Sequence, residues 1–298
     1  MEGHVLPIVD ISALAETDRE ARRSLAEALR AAGTGSGFFY LTGHGLDEAA
    51  LGAVLDAARS LFSLDEAAKR RIANRGRPGA PGYARMGGRT TAGDLQAPLK
   101  EEYFLRREGG AEPNLWPDKL AGFRAVMLAH VEAMHDIAAR VMRGMALSLN
   151  LPEDHFDAFC TDPIAALRLV RYAPEAEGAG PHNDFGALTL LLQDDVGGLQ
   201  LFDRGRDRWI DVPPFRGALV VNVGDLFERW TNGLYHSSLH RVANLAGVER
   251  FSAPFFLTGA ASQLIECLPG CVAPGEAPRH PPVTVADHLN ARFAAQGF

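Results

Sequence analysis

Apolar positions in the first half of the chain recur every three or four residues, the period of a helix with one buried face. The stretch "TDREARRSLAEALRAAG" (17–33) carries Ala21, Leu25, Ala28 and Leu29 on such a face. Its Thr17 and Glu20 have capping-box spacing, and Gly33 supplies a stop. "DEAALGAVLDAARSLF" (47–62) repeats the pattern with Leu51, Val54, Leu55 and Ala58. From Pro117 to Leu149 a longer run passes through Phe123, Met127, His130, Met134, Ile137, Val141 and Met145. That spacing predicts one long helix with a buried stripe.

The period then changes. "LRLVRYA", "ALTLLLQ", "GLQLF", "RWIDV", "ALVVNVG" and "RFSAPFFLT" are short and rich in Leu, Val and aromatic residues. Gly, Pro and Asp turns separate them, which predicts the strands of a sandwich or barrel. "TVADHLNARFAAQ" predicts a closing helix within 284–297. Residues 75–98 hold many Gly and Pro and little apolar pattern, and read as a long loop. The whole predicts a mainly β protein with N-terminal helices, a single domain over 1–298. Its parts are a helix-rich region over 1–160, a two-sheet β-roll over 165–260 and the C-terminal helix.

Composition narrows the partners more than the fold. The 298 residues are 47% hydrophobic and 22% charged, ordinary for a globular enzyme. A net charge of −7 argues against nucleic acid or an anionic membrane, because phosphate binding needs a basic surface. No apolar run approaches a membrane span, and the N-terminus lacks the basic start and apolar run of a secretory signal. Cys160, Cys267 and Cys271 are too few and too scattered for a disulfide framework or a thiolate metal site. These features predict a cytoplasmic protein directed at a small-molecule substrate.

Three patterns imitate functional motifs. "GTGSG" (33–37) follows a helix and precedes the strand-like "FFYLTGHG", the reverse of a dinucleotide-binding loop, and reads as a helix stop and turn. His130 and His135 are five residues apart, about 500° around a helix, so they cannot face one ion, and His130 reads as a hydrogen-bonded core histidine. His155 and Asp157 lie in a helical stretch after Pro152, about 200° apart, and read as a solvated face.

His182 and Asp184 are different, because "GPHNDFGALTLLLQ" leads into a β-run. On an extended chain residues i and i+2 share a face, so this imidazole and carboxylate can reach one ion at about 2.0–2.2 Å each. Alone, the pair leaves a metal site and an ordinary strand mouth equally open. Downstream, "TNGLYHSSLHRVAN" offers His236 and His240 as a further ligand. "RFSAPFF" then puts Arg250 and Ser252 on one face of a predicted strand, where Arg suits bidentate carboxylate recognition. Two His and one carboxylate with open positions suit non-haem Fe(II).

From about Leu167 to Thr258 the chain resembles the 2-oxoglutarate- and Fe(II)-dependent dioxygenases of the isopenicillin N synthase-like superfamily. "RLVRYAP", "HNDFGALTLLLQDDVGGLQL", "WIDVPP", "ALVVNVGDLFERWTNGLYHSSLHRV" and "RFSAPFF" carry the resemblance. "LPIVDIS", "GFFYLTGHGL" and "KEEYF" extend it over nearly the whole chain. It implies a double-stranded β-helix (jelly roll) core packed against a helical layer, with a metal inside its mouth. His182 and Asp184 match the family's His-x-Asp pair, and His240, just before Arg241 and Val242, matches its distal His. Arg250 and Ser252 match the Arg-x-Ser that clamps the far carboxylate of 2-oxoglutarate, and Tyr172 matches a tyrosine that assists. His236 stands where the family often carries Lys or Arg, and is a neighbour rather than a ligand. Asn183 replaces a commoner Thr that faces away from the metal, and "VRYAP" departs from the plant-type Asn-x-Tyr pattern.

The resemblance implies an oxidoreductase using Fe(II), 2-oxoglutarate and O2. It would release succinate and CO2 while hydroxylating, desaturating or cyclising a small molecule. Relatives with the same triad but no 2-oxoglutarate keep the Arg-x-Ser for the substrate's own carboxylate, and succinate release separates them. A metal-free β-sandwich binding protein is the reading from another class, and Fe(II) binding separates it. Tyr83, Arg85, Arg89, Tyr103, Phe104 and Phe256 are candidates for the substrate pocket, against a plainer reading of each as structural or surface.

Overall fold

The computed structural model describes residues 6–15, 18–74, 79–86, 100–109, 112–244 and 247–295. The first half contains β1 (Ile8–Asp10), α1 (Arg19–Thr34), β2 (Phe38–Thr42), α2 (Glu48–Phe62), α3 (Glu66–Arg71), β3 (Gly82–Met86), β4 (Lys100–Leu105), α4 (Phe123–Ser148) and α5 (Asp157–Thr161). The second half begins with β5 (Ile164–Tyr172), β6 (Gly178–His182), β7 (Leu188–Gln193), β8 (Leu199–Asp203), β9 (Arg208–Asp211) and β10 (Leu219–Val223). It continues through α6 (Asp225–Trp230), β11 (His240–Ala243), β12 (Arg250–Gly259), β13 (Leu264–Ile265), β14 (Val283–Thr284) and α7 (Val285–Ala295). No helix among the described residues is long and apolar enough to cross a membrane.

The helix starts follow side-chain capping. Asp18 accepts from the Glu20 N–H at 2.9 Å at the head of α1, and Asp47 accepts from the Ala50 N–H at 2.8 Å at the head of α2. The cap expected at Thr17 lies outside the described residues, and α1 ends at Gly35 rather than Gly33. Gly33 has a packing role instead: a Cβ there would stand 2.6 Å from the Tyr235 ring. Gly37 makes the turn into β2, with φ +70° and the His236 carbonyl 1.9 Å from where a Cβ would be.

An eight-stranded sheet, ordered β1-β2-β10-β7-β12-β5-β4-β3, opposes a four-stranded sheet, ordered β6-β11-β8-β9. Alternation assigns the faces of the large sheet. Leu167, Leu169, Leu188, Leu190, Phe255 and Leu257 turn to the helices and pack with Met127, Met134, Ile137, Val141 and Met145 of α4. Each of these buried side chains contributes roughly 1.5–3 kcal/mol. The opposite face looks between the sheets. There Phe38, Tyr40 and Val220 meet Leu199, Leu201 and Val212, and Val170 and Tyr172 meet Ala176, Ala179 and Val242. This is the jelly-roll core against a helical layer that the resemblance implies.

Two details depart from the sequence pattern. Four of the eight strands, β1 to β4, precede residue 165, so the β-roll draws on the N-terminal region as well. Within the stretch read as a loop, Gly82–Met86 form β3, paired to β4 from Gly82↔Phe104 to Met86↔Lys100. Residues 75–78 and 87–98 of that stretch lie outside the described residues. The pairing partner, not an apolar pattern, makes β3 a strand.

A buried ionic network ties this edge to α3. The Glu101 carboxylate, 1% exposed, takes Lys69 Nζ at 2.7 Å, the Tyr83 hydroxyl at 2.5 Å and Arg171 Nη1 at 2.6 Å. Burial and the Glu101 charge hold the Tyr83 hydroxyl far above its usual pKa. Glu101→Ala leaves Lys69 buried beside no carboxylate and is expected to destabilise the fold by about 3–5 kcal/mol in urea unfolding. A loss below about 1 kcal/mol, the value of a surface ion pair, would mean the network opens to water without consequence.

The imitating motifs settle elsewhere. His130 is buried, its pKa pushed down to about 4 by burial, and its Nε2 has no hydrogen-bond partner among the described residues, contrary to the expected bond. His135 Nε2 lies 2.9 Å from the Cys160 carbonyl oxygen. His155 is exposed in the turn before α5, so the pair does not share a helix, and Asp157 is held by Arg143 at 2.8 Å. Neither pair forms a common site.

Candidate metal centre

His182 is the last residue of β6 and His240 the first of β11, and the antiparallel register sets them directly opposite. Their ring centroids are 4.4 Å apart. Asp184 lies beyond the end of β6, in the connection to β7 rather than on the β-run that follows it in sequence. The backbone bends at residues 185–187, and the Asp184 carbonyl accepts from the Asp225 N–H at 2.8 Å. Ligand atoms of His182, Asp184 and His240 all fall within 4.8 Å of one another, the one such cluster found among the described residues.

Neighbouring groups aim these atoms. His182 Nδ1 lies 2.8 Å from the Gly180 carbonyl oxygen, and His240 Nδ1 lies 3.0 Å from that of Ser238. A carbonyl only accepts, so each Nδ1 carries the proton and each Nε2 is left with its lone pair. The Asp184 carboxylate takes the Thr189 hydroxyl at 2.5 Å and the Asn222 amide at 2.8 Å. Burial pulls the His182 pKa down. Burial pushes Asp184 up, but the two imidazoles and these hydrogen bonds outweigh it, and the carboxyl ends below its usual range. The cluster therefore offers one carboxylate and two imidazole nitrogens, a donor set for a divalent cation with open positions.

The other candidates stand aside. His236 Nδ1 is 3.6 Å from Glu228, with a side chain 43% exposed, outside the cluster. Asn183 donates its amide to the Ser237 carbonyl at 3.0 Å, away from the cluster. The loop bearing Asp184 depends on a close backbone approach, since a Cβ at Gly224 would stand 2.2 Å from the Gly186 oxygen and 3.1 Å from that of Asp184. Gly224→Ala is expected to displace this loop, costing about 1–3 kcal/mol of stability and weakening divalent-metal binding. Unchanged melting temperature and metal affinity together would show that the loop yields freely.

Arg250, 1% exposed, lies on the inner face of β12. Its Nε donates to the Gly197 carbonyl at 2.6 Å, Nη1 to the Ser252 hydroxyl at 3.2 Å and Nη2 to Gln193 Oε1 at 3.1 Å. Its guanidinium carbon is 5.4 Å from the Tyr172 ring centroid, and Tyr172 is its register partner on β5. The structure thus brings Arg250, Ser252 and Tyr172 together, as expected. All the hydrogen-bond partners of Arg250 are neutral, and no carboxylate pairs with it among the described residues. Beside it, Gln193 Nε2 is buried with no hydrogen-bond partner among those residues. A buried cation and a buried unmatched donor on one inner surface fit the far carboxylate of a small dicarboxylate.

Sequence reasoning missed Thr189, Asn222 and Gln193. Each is a polar residue inside an otherwise apolar strand, "LTLLLQ" or "LVVNV", and that is the signal that points to them. The pocket candidates divide. Phe104 and Phe256 lie on the inner face around Arg168. Tyr83 binds Glu101 and Tyr103 donates to the Leu115 carbonyl, both on the helical side. Arg85 pairs with Glu66 at the surface, and Arg89 lies outside the described residues.

A sequence model of the 2OG-Fe(II) oxygenase superfamily matches residues 163–259, which contain the cluster and Arg250. A second, the N-terminal region of non-haem dioxygenase in morphine synthesis, matches residues 6–119. The chain is 34% identical over 310 residues to the 2-oxoglutarate-Fe(II) type oxidoreductase hxnY of Emericella nidulans, covering 96% of this chain and 89% of that protein. It is 36% identical over 301 residues to a 2-oxoglutarate-Fe(II) type oxidoreductase of Aspergillus fumigatus, covering 94% of this chain and 89% of that one. The structure of a Neurospora crassa protein in complex with alpha-KG and thymine superposes with a TM-score of 0.89 at 28% identity, over 99% of this chain and 98% of that one. With the His/Asp/His cluster and the buried arginine lying inside the matched region, the chain belongs to the 2OG-Fe(II) oxygenase superfamily, in its isopenicillin N synthase-like group.

Proposed function

We propose that in this 2-oxoglutarate-dependent Fe(II) oxygenase His182, Asp184 and His240 hold the iron, while Arg250, with Ser252 and Tyr172, receives the far carboxylate of 2-oxoglutarate. The observation that carries the assignment is the buried Arg250 with only neutral hydrogen-bond partners, on the inner surface that the His/Asp/His cluster faces. When bound, the iron and 2-oxoglutarate supply the O2-dependent oxidising power, with release of succinate and CO2, for hydroxylation, desaturation or cyclisation of a small molecule.

The chain's own residues do the holding and shielding. The Gly180 and Ser238 carbonyls fix the tautomers of His182 and His240, so both present Nε2. Thr189 and Asn222 fix one oxygen of Asp184 and keep the carboxylate ionised without a proton to compete with the metal. Arg250 neutralises the co-substrate's far end, and Ser252 sets the plane of the guanidinium. Val170, Ala179 and Val242 close the space between the sheets on an apolar wall and exclude water, which strengthens each polar contact inside.

An anaerobic titration with Fe(II) and then 2-oxoglutarate tests this reading, through the weak visible charge-transfer band of the chelate. The band should grow and saturate at one equivalent. If Fe(II) binds and no band follows, Arg250 serves a substrate carboxylate instead, and the 2-oxoglutarate assignment falls.

A further inference from the structure

The inner face of the large sheet carries a second cation that the clamp does not use. Arg168 of β5 holds its guanidinium carbon 5.6 Å from the Phe104 ring centroid and 5.1 Å from that of Phe256. The two rings come from the strands flanking β5, namely β4 and β12, so the cation is braced from both sides. Its carboxylate neighbour, Glu102, is 2% exposed and shared. Lys100 Nζ takes Glu102 Oε1 at 2.6 Å, and Arg168 Nη1 stands 3.6 Å from the same oxygen. One carboxylate thus faces two cations, and Lys100 holds the close contact. Arg168 Nε is buried with no hydrogen-bond partner among the described residues, while the side chain as a whole is 25% exposed, open to a ligand.

Register gives the level of this group relative to the metal cluster. Phe256 pairs across to Thr189, the residue whose hydroxyl holds Asp184. Ser252 pairs to Gln193, four residues and about 13 Å further along the strand. Between these levels, Arg168 stands opposite Pro254, two residues from Phe256 and four from Arg250, and its guanidinium reaches to the Phe256 ring at the level of the cluster. The charge of Arg168 is also among those acting on His182.

We infer that Arg168 anchors the oxidised substrate, and that this substrate is a small carboxylate whose anionic group lies against the Arg168 guanidinium beside Phe256. The inference rests on the metal and 2-oxoglutarate assignment above. A carboxylate completes what Glu102 leaves unmet, because a guanidinium held between two rings still presents its N–H edge for bidentate contact.

The test is calorimetric binding to the Fe(II)- and 2-oxoglutarate-loaded protein under anaerobic conditions, with benzoate, phenylacetate and their amides as probes. At least one carboxylate should bind about tenfold or more tightly than its amide, the size of a charge-assisted contact. Arg168→Met should erase that preference and leave the amide's affinity unchanged. Glu102→Gln should strengthen carboxylate binding, because it removes the competing anion. Absence of a preference in the unmodified protein, or its persistence in Arg168→Met, overturns the inference. The chelate band, recorded in each sample before a probe is added, separates the two levels. A band without a preference sinks the anchor alone; no band sinks the co-substrate assignment and the anchor with it.

Discussion

Asp184→Ala is expected to lower 2-oxoglutarate turnover, measured as succinate release, by three orders of magnitude or more, about 4 kcal/mol of barrier. The substitution removes the one carboxylate donor of the cluster and leaves only its two imidazoles. It also strips Thr189 and Asn222 of their common acceptor. Stability should change less than activity, because a buried charge is removed along with its hydrogen bonds. Circular dichroism should therefore report a folded variant. His240→Ala is expected to behave alike, and His236→Ala, whose side chain lies by Glu228, should bind Fe(II) as the unmodified protein does. Equal damage from His236→Ala and His240→Ala would reassign the third ligand. Retention of more than about a tenth of the turnover by Asp184→Ala, less than about 1.4 kcal/mol, would remove it from the site.

The second large effect is at Arg250. Arg250→Ala is expected to weaken 2-oxoglutarate by about 2–5 kcal/mol, roughly 30- to several thousand-fold, with Fe(II) affinity little changed. The stability of the protein alone supplies a second, independent sign. Arg250 is a buried cation whose hydrogen-bond partners are all neutral, and burial pulls its pKa down against the opposing charge of Asp194. Its removal should not lower the melting temperature without co-substrate, whereas the rise that 2-oxoglutarate brings to the loaded protein should disappear. Equal loss of Fe(II) and 2-oxoglutarate affinity would contradict the clamp. A large drop in melting temperature without co-substrate would make Arg250 a structural residue.

Much of the site is legible in the sequence because the chemistry needs particular residue types at particular spacings. His182 and Asp184 two apart, His240 before Arg241 and Val242, and Arg250 with Ser252 are short-range patterns, and the structure brings all five to one interior surface with Tyr172. Extended-chain geometry explains the His182–Asp184 pair only in part. The two do not ride one strand; His182 ends β6 and Asp184 hangs beyond it, held by the Asp225 N–H and the Asn222 amide from distant parts of the chain. The strands β6, "GAGPH", and β11, "HRVA", escape notice because Gly, Pro and a single valine give no alternating apolar signal. Partners across the sheet make them strands.

Local periodicity and residue chemistry were sufficient for the long helices, the apolar strands and the residue types of the candidate cluster and the proposed clamp, because each of these is written within a few residues. Tertiary structure alone decided which face each polar strand residue meets. It sent Glu101 outward to Lys69 and Glu102 inward to Lys100 and Arg168 from adjacent positions on β4. It set Gln193 beside Arg250 and Arg168 between Phe104 and Phe256. The physical reason is that these contacts join strands far apart in sequence, whose register is set by the packing of two sheets and a helical layer rather than by local propensity.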